Sequence, residues 1–248
     1  MGTAVYEQIG STYASTRRAD PRIAAQVSVA LGEAMTVLNV GAGVGSYEPD
    51  DRFVVGLDPS ATMLSQRAGG GCPAVLGRAE SLPFADGTFD AAMATLTLHH
   101  WTDLAAGLAE MRRVSARQVA MVYETSAAHS PWIVDYFPAC LALPHERRAP
   151  SAESLREHLN VVEIQVVQVW HDCADGFGGA YWRRPERYLD PLVQAGMSML
   201  ALLTDAERAV GTQRLSEDLA SGDWIARYGH LLDLESIDLG YRLVIADD

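Results

Sequence analysis

Five short apolar runs punctuate the first half of the chain: TVLNV (36–40), FVVGL (53–57), PAVLG (73–77), FDAAMATL (89–96) and QVAMVYE (118–124). Each has the length of a strand, and each is closer to continuously apolar than to alternating, which is the pattern of a strand covered on both faces. Segments of helical period separate several of them. SATMLSQRA (60–68) is one, and TDLAAGLAEMRRV (102–114) is another, with Leu104, Leu108, Met111 and Val114 on one face. Residues 1–35 read as interrupted helix. Asp20-Pro21 marks a helix start, because proline fits the first helical position and aspartate caps it. Alternation of this kind predicts a parallel sheet with helices on both faces.

After residue 125 the rhythm changes. SAAHSPWIVDYFPACLALP (126–144) is aromatic and broken by proline, VVEIQVVQVW (161–170) reads as one long strand, and GYRLVIA (240–246) closes the chain as another. Roughly 70 residues of mostly helical pattern lie between those two strands, too many for a loop in a compact domain, so they are read as an inserted lid. The expected architecture is α/β: a seven-stranded, mostly parallel, Rossmann-like sheet with an antiparallel last strand. Residues 1–170 and 237–248 form the core, with capping helices over 1–35, and 171–236 form the helical lid.

Composition narrows the partners. Of 248 residues, 48% are hydrophobic and 21% charged, with a formal net charge of −13, which fits a packed core and disfavours nucleic acid and anionic membrane surfaces. RRADPR (17–22) and HERRAP (145–150) are short basic clusters on what reads as solvated surface. Cys72, Cys140 and Cys173 are scattered and odd in number, which argues against a disulfide framework and for a reducing compartment. MGTAVYEQIG has neither the basic start nor the apolar centre of a secretory signal, and LVQAGMSMLALL (192–203) is shorter than a membrane helix of about 20 residues. A cytoplasmic protein with a small-molecule substrate is expected. Its oligomeric state is not written in the chain.

The first strand runs into a glycine-rich turn, GAGVGS (41–46). Glycines there let backbone approach a ligand where a Cβ would collide, and a helix behind the turn would favour a negative group. The dinucleotide pattern G-x-G-x-x-G fails at Ser46, and no Gly-Lys-Ser/Thr follows for a P-loop. The tighter G-x-G-x-G turn fits, with Asp58 just past the second strand, where a carboxylate can accept from both hydroxyls of a ribose.

LNVGAGVG (38–45), GLDPSATML (56–64), GRAESLPFADGTFDAAMATLTLHHW (77–101) and LAEMRRV (108–114), preceded by YASTRRADPRI (13–23), together resemble the class I S-adenosylmethionine-dependent methyltransferases, in particular the quinone-biosynthesis and small-molecule branch. The resemblance is strong over residues 6–124 and weak beyond. It implies S-adenosylmethionine as cofactor. It places Asn39, Gly41, Ala42, Gly43, Gly45 and Thr95 around the methionine end, and Asp58 on the ribose. Pro59 and Met63 would lie against the adenine, Ala79 and Glu80 at the purine edge, and Tyr13 and Arg17 over the cofactor, with Arg17 on its carboxylate. Asn39 stands where the family usually has an acid, and Arg78 where it often has an aspartate; an arginine cannot accept from the adenine amine.

Methyl transfer requires an aligned nucleophile, exclusion of water and often removal of one proton. TLTLHHW (95–101) ends the fourth strand, and period-two alternation puts Thr95, Thr97 and His99 on one face, with His100 on the other. His99 is therefore the first candidate base, His100 the second, and His171 in WHDCADGF (170–177) a third, since an imidazole suits deprotonation of a phenol or enol. His171 beside Asp172 and Cys173 has no metal-ligand spacing, and no metal is expected. Trp101, Trp132, Tyr136, Phe137, Phe177, Tyr181 and Trp182 are candidates to wall a pocket for a flat apolar acceptor. O-methylation is slightly favoured over C- or N-methylation. The alternatives are a protein of the same fold that binds the cofactor without transferring a methyl group, a nucleic-acid methyltransferase, which the acidic charge opposes, and a nicotinamide dehydrogenase, which the turn spacing opposes.

Overall fold

A computed structural model describes residues 17–67, 72–124, 132–144 and 146–248. Nine strands are formed among them. Seven build one sheet: β1 (Thr36–Val40), β2 (Phe53–Asp58), β3 (Ala74–Leu76), β4 (Phe89–Thr95), β5 (Ser115–Tyr123), β6 (Val161–Val166) and β9 (Tyr241–Asp247). Their order is β3-β2-β1-β4-β5-β9-β6. β1, β2, β3, β4 and β5 pair in parallel, and β9 runs antiparallel between β5 and β6. The chain order turns back between β1 and β4, so their carboxyl ends open the crevice where ligands bind in sheets of this kind. The central strands are buried along nearly their whole length, as their continuous apolar sequences require.

Helix α1 (Pro21–Ala30) starts where proline and aspartate place it: Asp20 accepts the N–H of Arg22, and Ile23, Val27 and Ala30 face inward. Helix α2 is a short turn (Ala61–Ser65) capped by Ser60. Helix α3 (Leu104–Val114), capped by Asp103, buries Leu108, Met111 and Val114 on the opposite face of the sheet and keeps Leu104 partly buried.

Two expectations are corrected. The run 161–170 is not one strand. β9 begins at Tyr241, so beyond Val167, whose N–H reaches the Tyr241 carbonyl at 2.9 Å, the sheet offers no further partner. The remainder becomes β7 (Val169–Trp170) and pairs with β8 (Ser236–Ile237) as a separate ribbon. Nor does a helix follow the glycine turn: residues 41–52 are turns and bends, so no helix dipole lies behind the loop and its own N–H groups must serve.

The segment between β7 and β8 carries α5 (Pro191–Gly196), α6 (Ser198–Ala201), α7 (Asp205–Ser221) and α8 (Asp223–Tyr228), and α4 (Ile133–Tyr136) packs against α7 from outside that segment. Their apolar core is continuous with the α1 face of the sheet, through Val37, Met93 and Val119. No described helix is long and apolar enough to cross a membrane.

Candidate active site

At the carboxyl end of β1 the backbone turns sharply. The N–H groups of Gly41 and Ala42 both reach the Leu57 carbonyl, at 2.8 and 3.0 Å, which ties the loop to the end of β2. Gly41, Gly43 and Gly45 have φ of 76, 50 and 91°. At Gly41 glycine is required twice over, because a Cβ there would lie 2.2 Å from Thr97 Oγ1. Tyr47 closes the loop in the same left-handed region, at φ 65°.

Asp58 ends β2 beneath this loop. One carboxylate oxygen accepts the Gly43 N–H and the other the Ser60 N–H, each at 2.8 Å. Burial pushes its carboxyl above the usual range, opposed by those two donors and by Arg67. Asp58 stands at the seam of two adjoining cavities. One, of about 560 Å³, is lined by Asn39, Gly41, Ala42, Gly43, Met63 and Thr95, together with Arg17, Tyr47, Leu96, Thr97 and His100. The other, of about 580 Å³, is lined by Pro59, Ser60, Arg78, Ala79, Glu80 and Trp101, and shares Gly41, Asp58, Thr97 and His100 with the first. Met63 belongs to the glycine-loop cavity and not to the side of Pro59 and Ala79 where the adenine was expected. Gly45 closes the loop without lining either cavity.

A buried polar set carries the loop from below. Glu48 pairs with Arg67 through two contacts, at 2.6 and 3.0 Å, and accepts the Asn39 amide at 2.9 Å. Asn39, which lines the glycine-loop cavity, thus points its nitrogen at an acid nine residues downstream, leaving its Oδ1 buried without a partner. Glu48 was not singled out in the sequence; it supplies the charge that position 39 lacks.

Arg78 turns away from any acceptor role. It donates to Thr102 Oγ1 at 2.7 Å, with its side chain half-exposed. Glu80 accepts from the Thr102 N–H and hydroxyl and from the Asp103 N–H. Burial works against its ionisation, but these hydrogen bonds hold its carboxyl below the usual range.

The two histidines separate. Leu96 takes φ 53°, and Leu98–His100 form a 3₁₀ turn, so strand alternation ends at Thr95. His100 therefore faces the glycine-loop cavity, opposite to the expected assignment. His99, its ring centroid 3.9 Å from that of His100, lines a third cavity. This cavity, about 790 Å³ and largely apolar, shares Arg17 and Leu96 with the first, and Tyr123, Cys140, Glu146, Phe177, Met199 and Tyr241 help enclose it. Burial pushes both the Cys140 thiol and the Tyr123 phenol up to about 12, so neither ionises near neutrality.

Of the seven aromatic candidates, Phe177 alone lines that cavity, edge-on to Tyr241 with ring centroids 4.6 Å apart. Trp132 and Trp182 are core: the Trp132 indole donates to the Trp182 carbonyl, and the Trp182 indole to the Val169 carbonyl. Tyr136 donates to Asp218, Phe137 packs under α7, and Tyr181 packs on Tyr188. Trp101 lines the Pro59 side and packs on Gly107. These six are corrected to packing or cofactor-side positions, because in a segment this rich in rings the largest ones fill its own interior. His171 is likewise corrected: it lies at the surface 3.5 Å from Glu235 and lines none of the three cavities. No group of His, Cys, Asp and Glu among the described residues could hold a metal. Tyr13 lies outside the described residues. Arg17 is anchored, through Nε and Nη2, to Asp175 at 2.6 and 3.2 Å. Tyr123 and Tyr241 were missed in the sequence, although both stand on the rim where ligands were expected.

Comparison with known proteins bears on the family of the chain. Residues 38–122 match the model of a methyltransferase domain. Demethylmenaquinone methyltransferase of Mycolicibacterium paratuberculosis is 30% identical over 65% of this chain and 73% of that enzyme. The Corynebacterium kroppenstedtii enzyme of the same name is 39% identical, but over 41% of this chain and 42% of its own length. A crystal structure from Anabaena variabilis, described as a candidate methyltransferase of an antibiotic biosynthesis pathway, superposes with a TM-score of 0.86 at 31% identity, covering 94% of this chain and 99% of that one.

Proposed function

The chain belongs to the class I S-adenosylmethionine-dependent methyltransferases, and from that premise we propose that it methylates a small, flat, largely apolar acceptor bearing an acidic hydroxyl. The observation that carries this reading is the meeting of two unlike cavities at Leu96 and Arg17: one built on the glycine loop and lined by polar and apolar groups in equal measure, the other more apolar and aromatic, with His99 on its wall.

The residues present fit the cofactor. Gly41, on the cavity wall, lets the loop pass Thr97 more closely than any Cβ would allow, and Asn39 Oδ1 is a buried acceptor without a partner beside the loop, suited to a donor such as an α-ammonium. Asp58, shared between the cavities, is suited to ribose hydroxyls, and Pro59 and Ala79 line the side left for the base. When bound, the cofactor supplies an electrophilic methyl group on a sulfonium sulfur. The protein's own part is alignment, exclusion of water and one proton transfer. Phe177, Tyr241 and Tyr123, with centroid spacings of 4.6 and 5.1 Å, form a wall for a flat ring. His99, in that cavity, takes the acceptor's proton and passes it to solvent; His100, on the cofactor side, holds the turn beside Thr97.

The proton taken from a hydroxyl leaves an oxygen nucleophile, which favours O-methylation. A second reading has the same ionised ring methylated at the neighbouring carbon, and is favoured by relatives named for demethylmenaquinone methylation. Incubation with S-adenosylmethionine and a panel of hydroxylated aromatics, followed by mass and NMR analysis of the product, separates the two. His99→Ala should lower turnover by about 10² while sparing cofactor affinity; full turnover in that variant removes His99 from the proton transfer.

A further inference from the structure

Asp175 lines none of the cavities described, yet its side chain is entirely buried. Oδ1 accepts from Arg17 Nε at 2.6 Å and from the Gly176 N–H at 2.7 Å. Oδ2 accepts from the Tyr47 hydroxyl at 2.7 Å and from Arg17 Nη2 at 3.2 Å. Those donors come from the segment ahead of α1, from the glycine loop and from the turn after β7. Flanking contacts join the first and last of these: Asp20 accepts the Ala174 N–H at 3.0 Å, and Arg22 reaches Asp172 at 2.7 Å.

Buried ion pairs add little net stability, because desolvation of both charges offsets their attraction. What a bidentate pair does fix is geometry: the guanidinium is held in one plane and one rotamer, where a long side chain would otherwise sample many. The two residues so fixed both face the reacting region. Tyr47 lines the glycine-loop cavity, and Arg17 lines that cavity and the apolar one. Burial, and then the Asp175 charge, push the Tyr47 phenol far up, so it remains a donor. We propose that Asp175 is a positioning residue, holding the Arg17 fork and the Tyr47 ring on the wall that receives the amino-acid end of the cofactor. This rests on the assignment of the glycine-loop cavity to that end.

The test is calorimetric, on the full chain, with S-adenosylhomocysteine and with 5′-methylthioadenosine, which keeps the nucleoside and sulfur but lacks the amino-acid end. Asp175→Asn and Arg17→Met should each weaken S-adenosylhomocysteine binding about tenfold or more and change 5′-methylthioadenosine binding less than about twofold. A general folding defect would lower both. Unchanged or tighter S-adenosylhomocysteine binding by Asp175→Asn, or equal losses on the two ligands, overturns the proposal. Should Asp175→Asn melt below the assay temperature, Tyr47→Phe and Arg17→Lys replace it: a selective loss of about threefold in either supports the assignment, and unchanged affinity in both overturns it. Absence of binding by the unaltered chain would instead defeat the cofactor assignment itself.

Discussion

The glycine-loop cavity draws most of its walls from backbone and short side chains at the ends of β1, β2 and β4, whereas the apolar cavity gathers Leu96, Tyr123, Cys140, Phe177, Met199 and Tyr241 from across the rest of the chain. The first is held by close packing and hydrogen bonds that leave little choice of residue: Gly41 packed against Thr97, and Asp58 accepting the Gly43 and Ser60 N–H groups. The second is held by packing, where many side chains of similar volume would serve. Under the proposed assignment, recognition of the cofactor is written in a few local positions, and recognition of the acceptor in a distributed surface that can drift without unfolding the protein.

If that division holds, damage to each region should be felt by one ligand. Of two further substitutions, one in each cavity, the larger effect is expected at Gly41→Ala, where a Cβ would lie 2.2 Å from Thr97 Oγ1 at φ 76°. Relieving the clash would shift the loop at a cost of about 2 kcal/mol or more, so S-adenosylhomocysteine affinity should fall by about 30-fold or more. Native affinity would mean that the loop is not the cradle. Phe177→Leu should have the smaller effect of the two. Trimming one ring of the apolar wall should raise the acceptor KM by about threefold to tenfold and leave cofactor affinity unchanged. A change confined to cofactor binding would place Phe177 on the wrong side of the division.

The contrast also explains what the sequence made legible. The strand runs and the loop at 41–45 could be read because a covered parallel sheet and a tight turn each impose a narrow residue pattern. Asp58 followed from its place just beyond the second strand. The missing helix after the loop could not be read from glycines alone, because GSYEPDD (45–51) ends in residues that suit turns as well as helix starts. Which of His99 and His100 faces the glycine-loop cavity was not legible, because alternation presumes a continuing strand, and Leu96 leaves it at φ 53°. The rings of the second half were misread because burial in a core and burial against a ligand demand the same residue types. Phe177 differs from Trp132 only in where the chain places it. A stricter use of topology would have found Tyr123, which ends β5 on the ligand rim, and Tyr241, which begins the antiparallel β9 on that same rim. Asp175 carried no signal at all, since its partners lie 158 and 128 residues away in the chain.

The central claim is that Asp58 and the loop above it hold the sugar of S-adenosylmethionine. Titration calorimetry of the unaltered chain and of Asp58→Ala, against S-adenosylhomocysteine and against NADH, tests it most directly. The expected result is clear binding of S-adenosylhomocysteine, weakened by about 1.5–3 kcal/mol in Asp58→Ala, and no heat with NADH. Equal affinity in the two proteins, or binding of NADH alone, would contradict it.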